Sequence, residues 1–146
     1  MEIEIKIDPQ CTEPKVVIFT DQVTEEVNSI IQTLSSRPLG IITGFRNDLA
    51  QLLQPSDIVR IYTGSGKTFA SMKRQEYILR QRLYELEEQL SQYHFVRISN
   101  SEIINLKKVQ SFDLSLSGTI CVSLCDGSVT YVSRRYVTKI KQVLGL

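Results

Sequence analysis

At 146 residues, 42% hydrophobic and 23% charged, the chain is one domain or one domain with a small appendage, long enough to fold without a metal or disulfide. No apolar run approaches the roughly 20 residues a membrane helix requires, and the opening Met-Glu-Ile-Glu-Ile-Lys is no export signal, so the expected compartment is the cytoplasm. The net charge of +1 hides an asymmetry: residues 1–39 carry three Lys/Arg against seven Asp/Glu (−4), residues 40–146 fourteen against nine (+5), which suggests an anionic partner for the basic half.

In chain order, two short alternating runs come first, Glu2 to Ile7 and Lys15 to Phe19, split by the loop Asp8 to Pro14. They read as strands. A helix follows, with Asp21 or Thr24 as N-cap, Glu25 and Glu26 in its positive first turn, and Val27, Ile30, Ile31 and Leu34 on one apolar stripe. Ser35 to Gly40 ends it as a linker. Residues 1–38 therefore form a predicted β-β-α unit with a sticky helix face, a candidate for dimerisation.

From Ile41 the grain changes to short strands with turn punctuation. Ile41–Phe45 and Leu49–Leu53 flank Arg46 to Asp48, and Ile58–Tyr62 and Thr68–Met72 flank Gly64-Ser65-Gly66. Gln75–Leu79 is another strand, and Leu83, Leu86 and Leu90 mark a short amphipathic helix before Phe95–Ile98. Val109–Leu114 and Thr119–Leu124 flank Ser115 to Gly118, and Asp126-Gly127 joins the second of these to Val129–Val132 in the strongest hairpin signal of the chain. A last helix starts at Ser133, runs through Val137, Ile140 and Leu144, and stops at Gly145. The fold class is mostly β with short helices (α+β): a β-roll or sandwich of short antiparallel strands over residues 41–146, with a C-terminal helix.

Four features resemble chemistry without supporting it. Gly64-Ser65-Gly66-Lys67-Thr68 looks like the end of a phosphate-binding loop, but that motif needs a Gly where Ile61 stands and a helix where Phe69 to Met72 read as strand. Cys121 and Cys125 sit four apart on a strand, about 13 Å, too far for a disulfide or a shared zinc. With Ile120, Val122 and Leu124 on the apolar face, both thiols point the other way and are read as inert, though a reactive thiol stays open. His94 is the only histidine, so no His-based triad or di-His site can form, and Glu85, Glu87 and Glu88 read as a solvated helix face. Neither catalysis nor a metal or cofactor is expected.

Two segments carry more information. Ser133-Arg134-Arg135-Tyr136 puts two guanidinium groups in the first turn of a helix, where the helix dipole disfavours them by tenths of a kcal/mol each. Arginines there can reach phosphates or the O6/N7 edge of guanine, although a pair of ordinary surface arginines has the same sequence. Phe95 to Val109 contains a strand, the polar knuckle Ser99-Asn100-Ser101 and another apolar run. The knuckle can donate and accept hydrogen bonds, as structural turns also can.

Phe95-Val96-Arg97-Ile98-Ser99-Asn100-Ser101-Glu102-Ile103-Ile104-Asn105-Leu106, a Gly-bearing loop, Asp126-Gly127 and then Val132-Ser133-Arg134-Arg135-Tyr136 together resemble the LytTR-type DNA-binding domain. The likeness covers about residues 41–146, and the layout is similar to the small stand-alone members of that family. It implies an elongated β fold that inserts loops, not a recognition helix, into successive grooves of duplex DNA. Carried over by position, Ser99 and Asn100 read one major groove, the loop at Leu116 to Gly118 with Ser117 crosses the minor groove, and Arg135 with Arg134 reads the next major groove. Many relatives have His or Arg in the knuckle where this chain has Ser99 and Asn100, and Asn100 suits adenine better than guanine. Lys139, one helical turn beyond Arg135, is expected on phosphate.

Family members are often the output half of a response regulator, yet only about forty residues precede Ile41, too few for a receiver domain. Control is then expected from a partner protein, a ligand or abundance. The leading reading is a bacterial, cytoplasmic transcription regulator that binds paired half-sites in double-stranded DNA as a homodimer. The alternative is a protein-interaction module that does not touch DNA. An RNA-binding domain comes third, because the contact segments lack paired, exposed aromatics for stacking on unpaired bases.

Overall fold

The computed structural model describes residues 1–35 and 42–146; of the predicted linker Ser35 to Gly40, Ser35 is the last residue of a helix, and residues 36–40 and the predicted strand start at Ile41 lie outside the described residues. The chain divides into two compact units, Met1–Arg37 and Pro38–Leu146.

In the first unit the regular element among the described residues is helix α1, Glu25–Ser35. Thr24 is its N-cap: its carbonyl accepts from the Asn28 N–H at 3.0 Å and its hydroxyl from the Val27 N–H at 3.3 Å, satisfying donors that the first helical turn leaves without partners. The two predicted N-terminal strands do not form. Glu2–Ile7 and Lys15–Phe19 carry no ladder, and Ile3, Ile5, Ile7 and Phe19 are exposed, Ile7 by 92% and Phe19 by 94%. Ribbons of five or six residues make few hydrogen bonds and bury little, so two of them do not hold together alone.

Among the described residues, the second unit holds ten strands and two α-helices. Strands β1 (Ile42–Arg46), β2 (Leu49–Leu53), β3 (Ile58–Gly64), β4 (Lys67–Met72), β5 (Gln75–Leu79), β6 (Phe95–Ser99) and β7 (Glu102–Asn105) make a seven-stranded antiparallel sheet in the order β2-β1-β5-β4-β3-β7-β6. Strands β8 (Val109–Asp113), β9 (Ile120–Leu124) and β10 (Val129–Val132) make a three-stranded antiparallel sheet with β9 in the middle. Helix α2 spans Leu83–Gln89 and helix α3 Arg134–Val143. The short hairpins turn on residue pairs with two positive φ angles: Asn47 and Asp48, Ser65 and Gly66, Lys73 and Arg74. That is the geometry whose twist matches paired strands. The phosphate-loop lookalike is thus a hairpin tip, with Lys67 opening β4 where a helix would have to begin.

Neighbouring residues of the central strands feed different cores, as period-two alternation requires. Ile58 and Ile103 join Leu83, Leu86 and Leu90 on one face of the large sheet, while Val59 and Ile104 join Ile120, Val122, Leu124, Val132 and Ile140 on the other. The large sheet therefore lies between α2 and a layer made of the small sheet and α3. Each fully buried Ile contributes about 1.5–3 kcal/mol by leaving water. Cys121 lies half-buried on β9, whereas Cys125 is exposed past the end of that strand; both are free thiols. His94 has a positive φ of 64° and accepts the Leu106 N–H on its carbonyl, turning the chain into β6.

Candidate nucleic-acid interface

The knuckle Ser99-Asn100-Ser101 joins β6 to β7, and a register shift between Arg97 and Ser99 bends the strand just before it. Inside the knuckle the Ser99 hydroxyl accepts the Ser101 N–H at 3.2 Å, and the Ser101 carbonyl takes the Thr63 N–H of β3 at 2.9 Å. The guanidinium of Arg97 lies beneath: Nε donates to the Ser99 carbonyl at 2.7 Å and Nη2 to the Asn100 carbonyl at 2.6 Å. The remaining nitrogen, Nη1, donates to Glu87 Oε2 of α2 at 2.8 Å. Asn100 itself is exposed.

Helix α3 starts beside this knuckle. The Ser133 N–H donates to the Ile98 carbonyl at 2.9 Å, which ties the helix entry to β6, and the Tyr136 hydroxyl donates to Asn100 Oδ1 at 3.3 Å. Ser133 occupies the N-cap with extended φ and ψ, yet its side chain caps nothing. Ile140 is fully buried, and Tyr136, Val137 and Leu144 pack half-buried on the same core, which turns Arg134, Arg135 and Lys139 outward. No ion pair among the described residues engages Arg134 or Arg135. Lys139 Nζ lies 3.8 Å from Glu87 Oε1, on the carboxylate that Arg97 also uses. Glu87 is therefore no plain member of a solvated helix face.

The third segment, Leu114 to Thr119, links β8 to β9. Asp113 opens it by accepting both the N–H and the hydroxyl of Ser115, at 2.9 and 2.6 Å, and those bonds hold its carboxyl below the usual range. Ser117 is exposed, and Gly118 takes a φ of +74°. A Cβ on Gly118 would sit 3.4 Å from Arg134 Nε, so the arginine side chain lies along the loop's end. The structure thus brings Asn100, Gly118 and Arg134 to the start of α3. The signal that sequence reading missed is Arg97: a charged residue between Val96 and Ile98 of an apolar strand is a candidate for an internal partner.

A polar link joins the two sheets underneath. Glu102 of β7 accepts from Arg60 Nη1 of β3 at 3.0 Å and from the Thr130 hydroxyl of β10, with all three largely shielded. Arg60 Nε is buried without a partner, and its guanidinium lies 4.7 Å over the Tyr62 ring. Burial pushes the Asp126 carboxyl up, but bonds from Ser128 and the charge of Arg60 outweigh it and leave the group below its ordinary value.

Comparison with known proteins bears on this arrangement. The family model of the LytTr DNA-binding domain matches residues 50–145. Two proteins of Staphylococcus aureus, from strains MSSA476 and MW2, carry the name HTH-type transcriptional regulator; each is 32% identical over 147 residues, covering 100% of this chain and 99% of the relative. Helix-turn-helix in those names does not describe the fold here, where five strands separate α2 from α3. A solved LytTr DNA-binding domain from Bacillus cereus, part of a protein described as a methyl-accepting/DNA response regulator, is similar in fold, with a TM-score of 0.69 and 21% identity over 73% of this chain and 97% of that one. On the match of the family model and the full-length relatives, the chain belongs to the LytTr DNA-binding domain family, a family of DNA-binding regulators and not of enzymes.

Proposed function

We propose that the protein regulates transcription by binding duplex DNA sequence-specifically, with the Ser99–Ser101 knuckle in one major groove, the Leu116–Gly118 loop across the minor groove, and Arg135 in the next major groove. The observation that carries this reading is the pair of exposed arginines without an ion pair among the described residues at the start of α3, a helix turn whose Tyr136 hydroxyl donates to Asn100 Oδ1 in the knuckle. Two exposed cations at the positive end of a helix oppose the local field, and a polyanion would supply the missing compensation. Asn100 keeps its amide and one lone pair of Oδ1, enough to accept and donate at an adenine edge. Binding to paired half-sites, as a homodimer, completes the proposal and gives a small unit added affinity through simultaneous engagement. No helix among the described residues is long and apolar enough to cross a membrane; action in the cytoplasm, where the DNA is, and control by a partner protein belong to the same reading.

A gel-shift comparison of duplex DNA, single-stranded DNA and RNA tests it, followed by selection of bound duplexes from a random pool. A shift with duplex alone and a selected consensus of two spaced half-sites is the expected result. If nothing shifts at low salt, the chain is an interaction module and the reading is wrong.

A further inference from the structure

The guanidinium of Arg97 spends its three nitrogens inside the protein, and none of those bonds is part of the sheet ladder. Two hold successive carbonyls of the knuckle and one holds Glu87. We propose that Arg97, anchored by Glu87, is a positioning residue that shapes the knuckle and so decides which base Asn100 accepts. The proposal rests on the groove-reading function above.

Three observations support it. A guanidinium presents its donors in a fixed planar fork, so the carbonyls of Ser99 and Asn100, at 2.7 and 2.6 Å from one such fork, have little freedom to turn. Drawn inward, they also stop presenting bare oxygens to a phosphate backbone. The Arg97 side chain is only 13% exposed and already neutralised by Glu87 at 2.8 Å. A charge so covered attracts a phosphate poorly, which separates its role from that of exposed Arg134 and Arg135. Glu87 also has Lys139 of α3 at 3.8 Å from its second oxygen, and Tyr136 of α3 reaches Asn100. The carboxylate thus links α2, the knuckle and α3, so the spacing between the two proposed readers depends on it.

The test is a competition titration with duplexes carrying each base at every position of the selected half-site, plus a random duplex, over a range of salt. The proteins are the unaltered chain, Asn100→Ala, Arg97→Gln, Arg97→Lys and Glu87→Gln. Asn100→Ala identifies the position that the knuckle reads. At that position Arg97→Gln should lose about tenfold in discrimination, within the range of one good base contact, while affinity for the random duplex and the salt slope stay unchanged. Arg97→Lys should behave the same way, since an ammonium keeps the charge but not the fork. Glu87→Gln, which leaves Arg97 in place, should give a smaller loss at that same position; it carries the test alone if the Arg97 variants do not fold. The proposal fails if Arg97→Lys restores binding and Arg97→Gln lowers the salt slope by about one unit, the mark of a phosphate contact. It fails also if the variants lose affinity equally for all duplexes along with melting temperature, or if Glu87→Gln keeps the full preference. Failure of the underlying function would be visible earlier, as an unaltered protein that does not prefer the selected duplex over the random one.

Discussion

Arg135 and Lys139 lie four residues apart on the same helix and are exposed together, yet their surroundings differ. Arg135 stands in the first turn with no ion pair among the described residues, whereas Lys139 already has Glu87 within 3.8 Å. If Arg135 reads guanine, Arg135→Ala should cost about 1–3 kcal/mol on the specific site and relax the preference there. Lys139 is expected on phosphate, so Lys139→Ala should weaken all sequences alike and reduce the salt slope by about one unit. Equal losses from Arg135→Ala on specific and random duplexes would remove its base-reading role. The exposure of these residues was legible in the sequence because Arg135 stands at a helix start and Lys139 falls off the apolar stripe of Val137, Ile140 and Leu144. Arg97 was not, because strand alternation says which face a residue takes and nothing about a carboxylate ten residues earlier on another element.

At the level of elements, hairpins and helices followed from short-range rules, and the pairing of distant strands did not. Asp126-Gly127 and Ser65-Gly66 announce their own turns, and Leu83, Leu86 and Leu90 announce a buried face. That β3 sits between β4 and β7 depends instead on contacts across forty residues, among them Arg60–Glu102 and the Asn105 side chain donating to the Ile58 carbonyl at 2.9 Å. Glu102 is the clearest such case, since it binds one strand of its own sheet and one strand of the other. Removing it leaves a guanidinium with one nitrogen already lacking a partner. Hydrogen bonds to charged groups contribute about 1.5–3 kcal/mol, so Glu102→Gln, which keeps the shape and loses the charge, should cost about 2 kcal/mol. In a cycle with Thr130→Val, read from urea midpoints, the two losses should couple by at least about 0.5 kcal/mol. Strictly additive losses would mean that Glu102 serves its own sheet and does not lock the two together.

For the whole molecule, the question is what covers the apolar residues of the first unit. The stripe of α1 could be covered by the two N-terminal strands or by a second copy, and those strands are absent; Leu34 is 56% exposed, and Ile3, Ile5 and Ile7 lie open in a row. Alternating Ile residues in a segment with no ladder of its own suit a second copy of the same segment, because a twofold contact needs only one self-complementary patch. The segment is acidic, at −4 over residues 1–39, which fits a position away from phosphates. The second unit has both hydrophobic cores to itself, from Ile42 to Ile140, so a chain beginning at Leu39 should fold. We therefore expect residues 1–37 to mediate self-association. The shortened chain should bind a single half-site about as the full chain does, and should lose the tight binding to paired sites that linkage provides, a factor on the order of 10²–10⁴. Sedimentation of both proteins, free and with DNA, decides the matter: a full-length chain that stays monomeric at micromolar concentration in both conditions would leave the N-terminal unit without this role and the paired half-sites to be filled by independent monomers.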